Sequence, residues 1–139
     1  MILLDTNVLS ALMDVVPDET VASWLDLQPR DSIWITAVTL MEIRSGLIGM
    51  PASRKQSALT NALATLLADK IQGRIAPFDI AAAEQAANLM AQRKLRGRTI
   101  DHRDTMIAGI ALATHATLAT RNVSHFADLS VPVINPWEV

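Results

Sequence analysis

The side chains of this 139-residue chain that are able to do chemistry are carboxylates, and the first of them, Asp5, ends an apolar run of Ile2, Leu3 and Leu4. A run without polar alternation suits a strand covered on both faces, as in a parallel α/β sheet. Asp5 therefore falls at the carboxyl end of a strand, where open α/β sheets place their ligands. The same acid also reads as the partner of the next helix terminus, with Thr6 placed to cap Val8, Leu9, Leu12 and Met13. A second acid, Asp104, opens a helix and shares its inward face with Ile107, Ala108 and Ala111. Asp101 lies one turn earlier, and the helix macrodipole offers an alternative account of both. The third, Glu42, belongs to a stripe of Thr39, Glu42, Gly46 and Gly49 at spacings of three and four. Alone it reads as a solvated helix glutamate. Two glycines inside a helix, each costing about 1 kcal/mol against alanine, require a close approach or a helix end.

The chain contains no cysteine, so any metal must be held by oxygen or histidine. His102 reads as a surface residue and His115 as a helix C-terminal one, and neither has ligand spacing to another histidine.

The elements that must position these acids alternate between strand and helix. A short helix lies within Pro17 to Gln28, and Ile33 to Ile35 form a strand after which Thr36 caps a helix from Ala37 to about Ile48. Pro51 breaks the pattern, and Ala52 to about Lys70 form a helix with Leu59, Leu63, Leu66 and Leu67 as its apolar set, a packing or partner surface. Ile75 to Phe78 read as a strand, and Asp79 caps a helix to about Leu95. Strands at Ala116 to Ala119 and Val131 to Ile134 follow the Asp104 helix, with Val123 to Phe126 as a turn. Such alternation implies right-handed crossovers and a parallel sheet.

Half of the residues are hydrophobic, which is enough for a single domain over 1–139 with its own core. A net charge of −2 gives no global basic excess for nucleic acid, so local patches must supply one. Arg93, Lys94, Arg96, Arg98 and Arg103 put five positive charges within eleven residues, interrupted by Gly97 as a helix stop. Such a run reads as a solvated face unless a phosphate site lies beside it. No signal peptide is visible and no run reaches the roughly eighteen apolar residues of a membrane span, which points to a cytoplasmic protein.

Four blocks together resemble the PIN domain, and more narrowly the VapC and FitB type toxins of bacterial type II toxin–antitoxin systems. They are Asp5-Thr6-Asn7, Glu42-Ile43-Arg44-Ser45-Gly46, Asp104-Thr105-Met106-Ile107-Ala108-Gly109-Ile110-Ala111, and Leu118-Ala119-Thr120-Arg121-Asn122-Val123-Ser124-His125-Phe126. The resemblance covers the whole chain and implies a three-layer α/β/α domain with a central parallel sheet. It also implies a divalent-metal endoribonuclease, using Mg²⁺ or Mn²⁺, that a cognate antitoxin inhibits and that forms a homodimer, larger with antitoxin. On that pattern Asp5, Glu42 and Asp104 are the metal-binding acids, and cleavage leaves a 5′-phosphate and a 3′-hydroxyl. Many relatives have a fourth acid after the late strand, where this chain has Asn122, then His125, and slightly later Asp128. Asn122 would serve through its carbonyl oxygen, and Asp128 only if its loop folds back.

Three gathered carboxylates repel one another until a hard cation bridges them. Thr6 is expected to support that site, and Arg44, Arg98, Arg103 and Arg121 to steer the RNA backbone through salt-dependent phosphate contacts. With two Phe, three Trp and no Tyr, no stacking platform for unpaired bases is evident. A phosphotransferase of the haloacid-dehalogenase pattern would want an acid where Asn7 stands. A non-catalytic module binding RNA or a partner is the alternative reading.

Overall fold

The computed structural model describes residues 1–139. Five parallel strands form one sheet: β1 (Ile2–Leu4), β2 (Ile33–Thr36), β3 (Ile75–Ala76), β4 (Thr117–Ala119) and β5 (Val133–Ile134), in the order β3-β2-β1-β4-β5. The short β1 is central, with Ile2 opposite both Ile33 of β2 and Thr117 of β4. Leu3 and Leu4 point to opposite faces and both are buried, so the unbroken apolar run reflects a strand covered on two sides.

Helices α1 (Thr6–Met13), α2 (Glu19–Asp26) and α4 (Arg54–Leu66) cover one face with Leu9, Val21, Trp24 and Leu63. Helices α5 (Ile80–Leu95) and α6 (His102–Thr114) cover the other with Leu89, Ile107 and Ile110. Helix α3 (Ala37–Ile48) contributes to both, through Ile43 and Leu47 on one side and Val38 on the other. The chain winds outward from β1 through β2 to β3, then returns beyond β1 to β4. The direction of winding therefore reverses beside β1, which opens a crevice at its carboxyl end.

Several boundaries differ from the sequence reading. Asp5 itself, and not Thr6, caps α1, because its Oδ1 accepts the Thr6 N–H at 2.8 Å. Helix α4 starts at Arg54, since the Ser53 hydroxyl accepts the Gln56 N–H, and a wide turn over Leu67–Ile71 prolongs it. The Gln56 amide then donates to the Leu47 and Met50 carbonyls, tying the start of α4 to the end of α3. Leu63 is fully buried, and Leu59, Leu66 and Leu67 pack on the same core, so this leucine set faces inward. Strands β3 and β5 each shrink to two residues. Gly97 does end α5, at φ +68°.

Candidate active site

The site is built on the carboxyl end of β1. The Asp5 N–H extends the ladder to β4 by donating to the Ala119 carbonyl at 2.9 Å, which fixes the backbone. Its side chain is 4% exposed. Oδ1 accepts the Thr6 N–H, and Oδ2 accepts the Thr120 hydroxyl at 2.7 Å. No cation pairs with it; the chain's ion pairs all lie elsewhere. Burial pushes the Asp5 carboxyl above its ordinary value. The Thr120 and Thr6 hydrogen bonds oppose that rise, while the charges of Asp104 and Glu42 add to it.

Glu42 reaches the same end from α3. The Thr6 hydroxyl donates to its Oε1 at 3.0 Å and lies 3.3 Å from the buried Thr39 hydroxyl, so the stripe of small polar residues faces α1. Its Oε2 is 3.6 Å from Nη1 of Arg103, an exposed side chain on the first turn of α6. Asp104, half-buried on that turn, has Oδ2 at 3.2 Å from Nδ1 of His125. Asp101 is the helix cap, accepting the Asp104 N–H at 3.0 Å, which leaves the Asp104 carboxylate free of capping.

The fold therefore brings Asp5, Glu42 and Asp104 to one end of the sheet as mutually repelling acids. No three Asp, Glu or His side chains stand close enough together to form a ready-made metal cage. Two clefts open there. One, of about 370 Å³, includes Thr6, Ser10, Glu42, Gly46 and Arg103 in its lining. The other, of about 240 Å³, is wholly polar and lined by Arg93, Arg98, Thr99, Asp101, Asp104 and His125.

The other expected residues are scattered in their engagements. Arg103 is at Glu42. Arg121 stacks on the Trp137 ring, 4.7 Å from its centroid, and its N–H donates to Asn7 Oδ1 at the rim. Arg44 lies in a separate hollow with Leu47, Ile48, Gln56 and Thr60. Arg98 is paired with Asp128 at 2.9 Å. Asn122 is exposed and engaged through its backbone alone, its N–H donating to the Thr120 hydroxyl at 3.1 Å and its carbonyl accepting the His125 N–H at 3.0 Å.

Two corrections follow. Asp128 does not fold back to the three acids: Arg93 grips both of its oxygens at 2.9 Å, and hydrogen bonds from Arg93 hold its carboxyl below the ordinary value despite burial. Arg93 is accordingly not part of a solvated basic face but is 3% exposed. Thr120, fully buried between Asp5, Asn7 and Asn122, holds a place that the sequence reading does not assign it. Its signal was a hydroxyl directly after a strand whose last residue, Ala119, pairs with the end of β1.

Comparison with known proteins adds a lineage to this geometry. A family model described as the PIN domain matches residues 2–131. Over 138 residues, 99% of both chains, the sequence is 40% identical to the VapC ribonuclease Y4jK of Sinorhizobium fredii. Over 137 residues, again 99% of each, it is 35% identical to the toxin FitB of Neisseria gonorrhoeae. The fold superposes on a chain of the crystal structure of FitAcB from Neisseria gonorrhoeae with a TM-score of 0.88, at 34% identity and 100% coverage of both chains.

Proposed function

The chain belongs to the PIN-domain family, and on that premise we propose that its 139 residues act as a single-domain endoribonuclease, the toxin of a cytoplasmic type II toxin–antitoxin pair. The observation that carries the reading is Asp5. It is a buried carboxylate held by hydroxyl and amide donors alone, with two further acids raising its proton affinity. An acid whose charge is opposed by burial and by like charges gains from a cation brought to it, around which Glu42 and Asp104 would have to close.

The donor set fits a hard divalent ion such as Mg²⁺ or Mn²⁺, since every donor is a carboxylate oxygen. Asp5, Glu42 and Asp104 would hold it. When bound, such an ion makes water easier to deprotonate and stabilises charge on the phosphate under attack. The protein's own groups prepare that chemistry. Thr120 and the Thr6 N–H fix the Asp5 carboxylate, and the Thr6 hydroxyl holds Glu42 Oε1. Arg103 now pairs with Glu42 and the His125 ring stands at Asp104, and both contacts would give way to the ion. Arg103 and Arg121, exposed at the rim, are then positioned for RNA phosphates. A toxin of this kind must be silenced in the cell that makes it, and a cognate antitoxin is the proposed partner.

The test is cleavage of RNA by purified, antitoxin-free protein with Mg²⁺ and with EDTA. Cleavage that requires the metal is expected. EDTA-resistant cleavage overturns the metal chemistry, and RNA binding without cleavage identifies a non-catalytic module instead.

A further inference from the structure

Arg93 is the only cation the fold buries. Its Nε and Nη2 donate to Oδ2 and Oδ1 of Asp128, a bidentate pair. Two further contacts stay inside the protein. Nη1 donates to the Thr105 hydroxyl at 3.2 Å, and Nη2 donates again to the His125 carbonyl at 3.1 Å. Arg98 joins the group through the end of α5. The Gly97 N–H donates to the Lys94 carbonyl and the Arg98 N–H to the Arg93 carbonyl, a turn that Gly97 permits at φ +68° and that folds Arg98 back over Arg93. Both guanidinium groups then meet one carboxylate.

Two of these contacts fall beside the proposed site. Thr105 follows Asp104, and its hydroxyl proton goes to the Asp101 carbonyl at 2.7 Å, so the hydroxyl ties the first turn of α6 to Arg93. His125 has its carbonyl fixed by Arg93 while its ring stands at Asp104. One side chain thus spans α5, the start of α6 and the turn Val123–Phe126. A buried ion pair is a poor device for stability alone, because desolvation offsets much of its attraction and apolar side chains of similar volume often do as well. A rigid fork with fixed donor directions is what such side chains lack.

We infer that Arg93, together with Asp128, is a positioning residue. It sets the first turn of α6 and the His125 turn in register, holding Asp104 at the carboxyl end of β1, from which it would close on a divalent cation with Asp5 and Glu42. This inference rests on the nuclease reading above. Arg93 touches neither the cation nor RNA and acts through Asp104.

The test is Mn²⁺ binding without RNA, by calorimetric titration of the antitoxin-free full chain, together with thermal melting and cleavage kinetics. In Arg93→Lys and Asp128→Asn, Mn²⁺ affinity is expected to fall about tenfold or more, as for other groups that orient metal ligands. The turnover number falls with it, while KM for RNA stays within about twofold. Leu63→Ala, a core change in α4, is expected to lower the melting temperature and leave Mn²⁺ affinity intact. Unchanged affinity in the folded clasp variants overturns the inference and leaves a structural brace. Should both fail to fold, Thr105→Val decides, with a smaller loss of affinity expected and no loss contradicting the role. Failure of the unsubstituted protein to bind Mn²⁺ and cleave RNA appears first and overturns the nuclease reading itself.

Discussion

Two aspartates, the buried Asp5 and the half-buried Asp128, respond to desolvation in opposite ways. Asp5 sits among hydroxyls, amides and other acids, and its carboxyl is raised. Asp128 sits between two guanidinium groups, and its carboxyl is lowered. Burial penalises the charge of both, so the partners decide the sign. On the proposed function, the contrast separates an acid that completes the protein from an acid that a ligand completes. A structural carboxylate arrives with its counter-ions, whereas one left to hydrogen-bond donors and like charges is poised for a ligand.

The largest effect that would break this comparison is on activity. Asp5→Asn keeps the shape and removes the charge, and metal-dependent RNA cleavage is expected to fall about a thousandfold, ~4 kcal/mol in the barrier. Melting of the metal-free variant is expected at or above the parent temperature, because an uncompensated charge is gone. Cleavage near the parent rate would remove Asp5 from its proposed role. Next in size is Arg93→Ala, which leaves the half-buried Asp128 with Arg98 as its one counter-ion and removes the donors to the Thr105 hydroxyl and the His125 carbonyl. A loss of about 2–3 kcal/mol is expected in denaturant unfolding, against little change if the pair is ornamental.

A smaller effect probes the scaffold behind both acids. A Cβ added at Gly109 would lie 2.6 Å from the Ala82 carbonyl oxygen and 2.8 Å from the Ala86 Cβ. Helices α5 and α6 must separate to admit it. Gly109→Ala is expected to cost about 1–3 kcal/mol by the same measurement, and a neutral result would contradict that packing.

The smallest effects are in pH. Asp128, with its carboxyl lowered by folding, stabilises the protein fully above its unfolded-state pKa, and that stability is lost as the pH falls toward its folded-state pKa. Asp5, raised by folding, works the other way: metal-free stability declines as the pH climbs from its unfolded-state pKa through its raised folded-state one. Denaturant unfolding at a series of acidic pH values should therefore show less acid sensitivity in Asp128→Asn. It should show more stability toward neutral pH in Asp5→Asn. Identical profiles for both variants would erase the contrast.

The two regions were also unequally legible in the sequence. The apolar run before Asp5 and the inward face of α6 placed two acids through local pattern alone, since strand burial and helix periodicity are local properties. Helix capping by Thr36 and Asp79 was legible for the same reason. Arg93 was not, because a buried arginine and a solvated one look alike until the partner is known, and Asp128 lies 35 residues further along. The Gly97 turn was legible as a stop, but its folding of Arg98 back onto Arg93 depends on tertiary contact. Strands β3 and β5 are two residues each and depend on pairing, with Ile35 opposite Ile75 and Leu118 opposite Val133, so their ends carry no periodicity to read. Thr120 acquires meaning only when β4 comes to lie against β1.

The account depends on one ion shared by three acids, and crystals grown with Mn²⁺ test it directly by anomalous scattering. The expected result is an anomalous peak at the carboxyl end of β1, bonded to Asp5 with Glu42 and Asp104 drawn toward it. A peak elsewhere, or none at saturating Mn²⁺, would contradict the shared site.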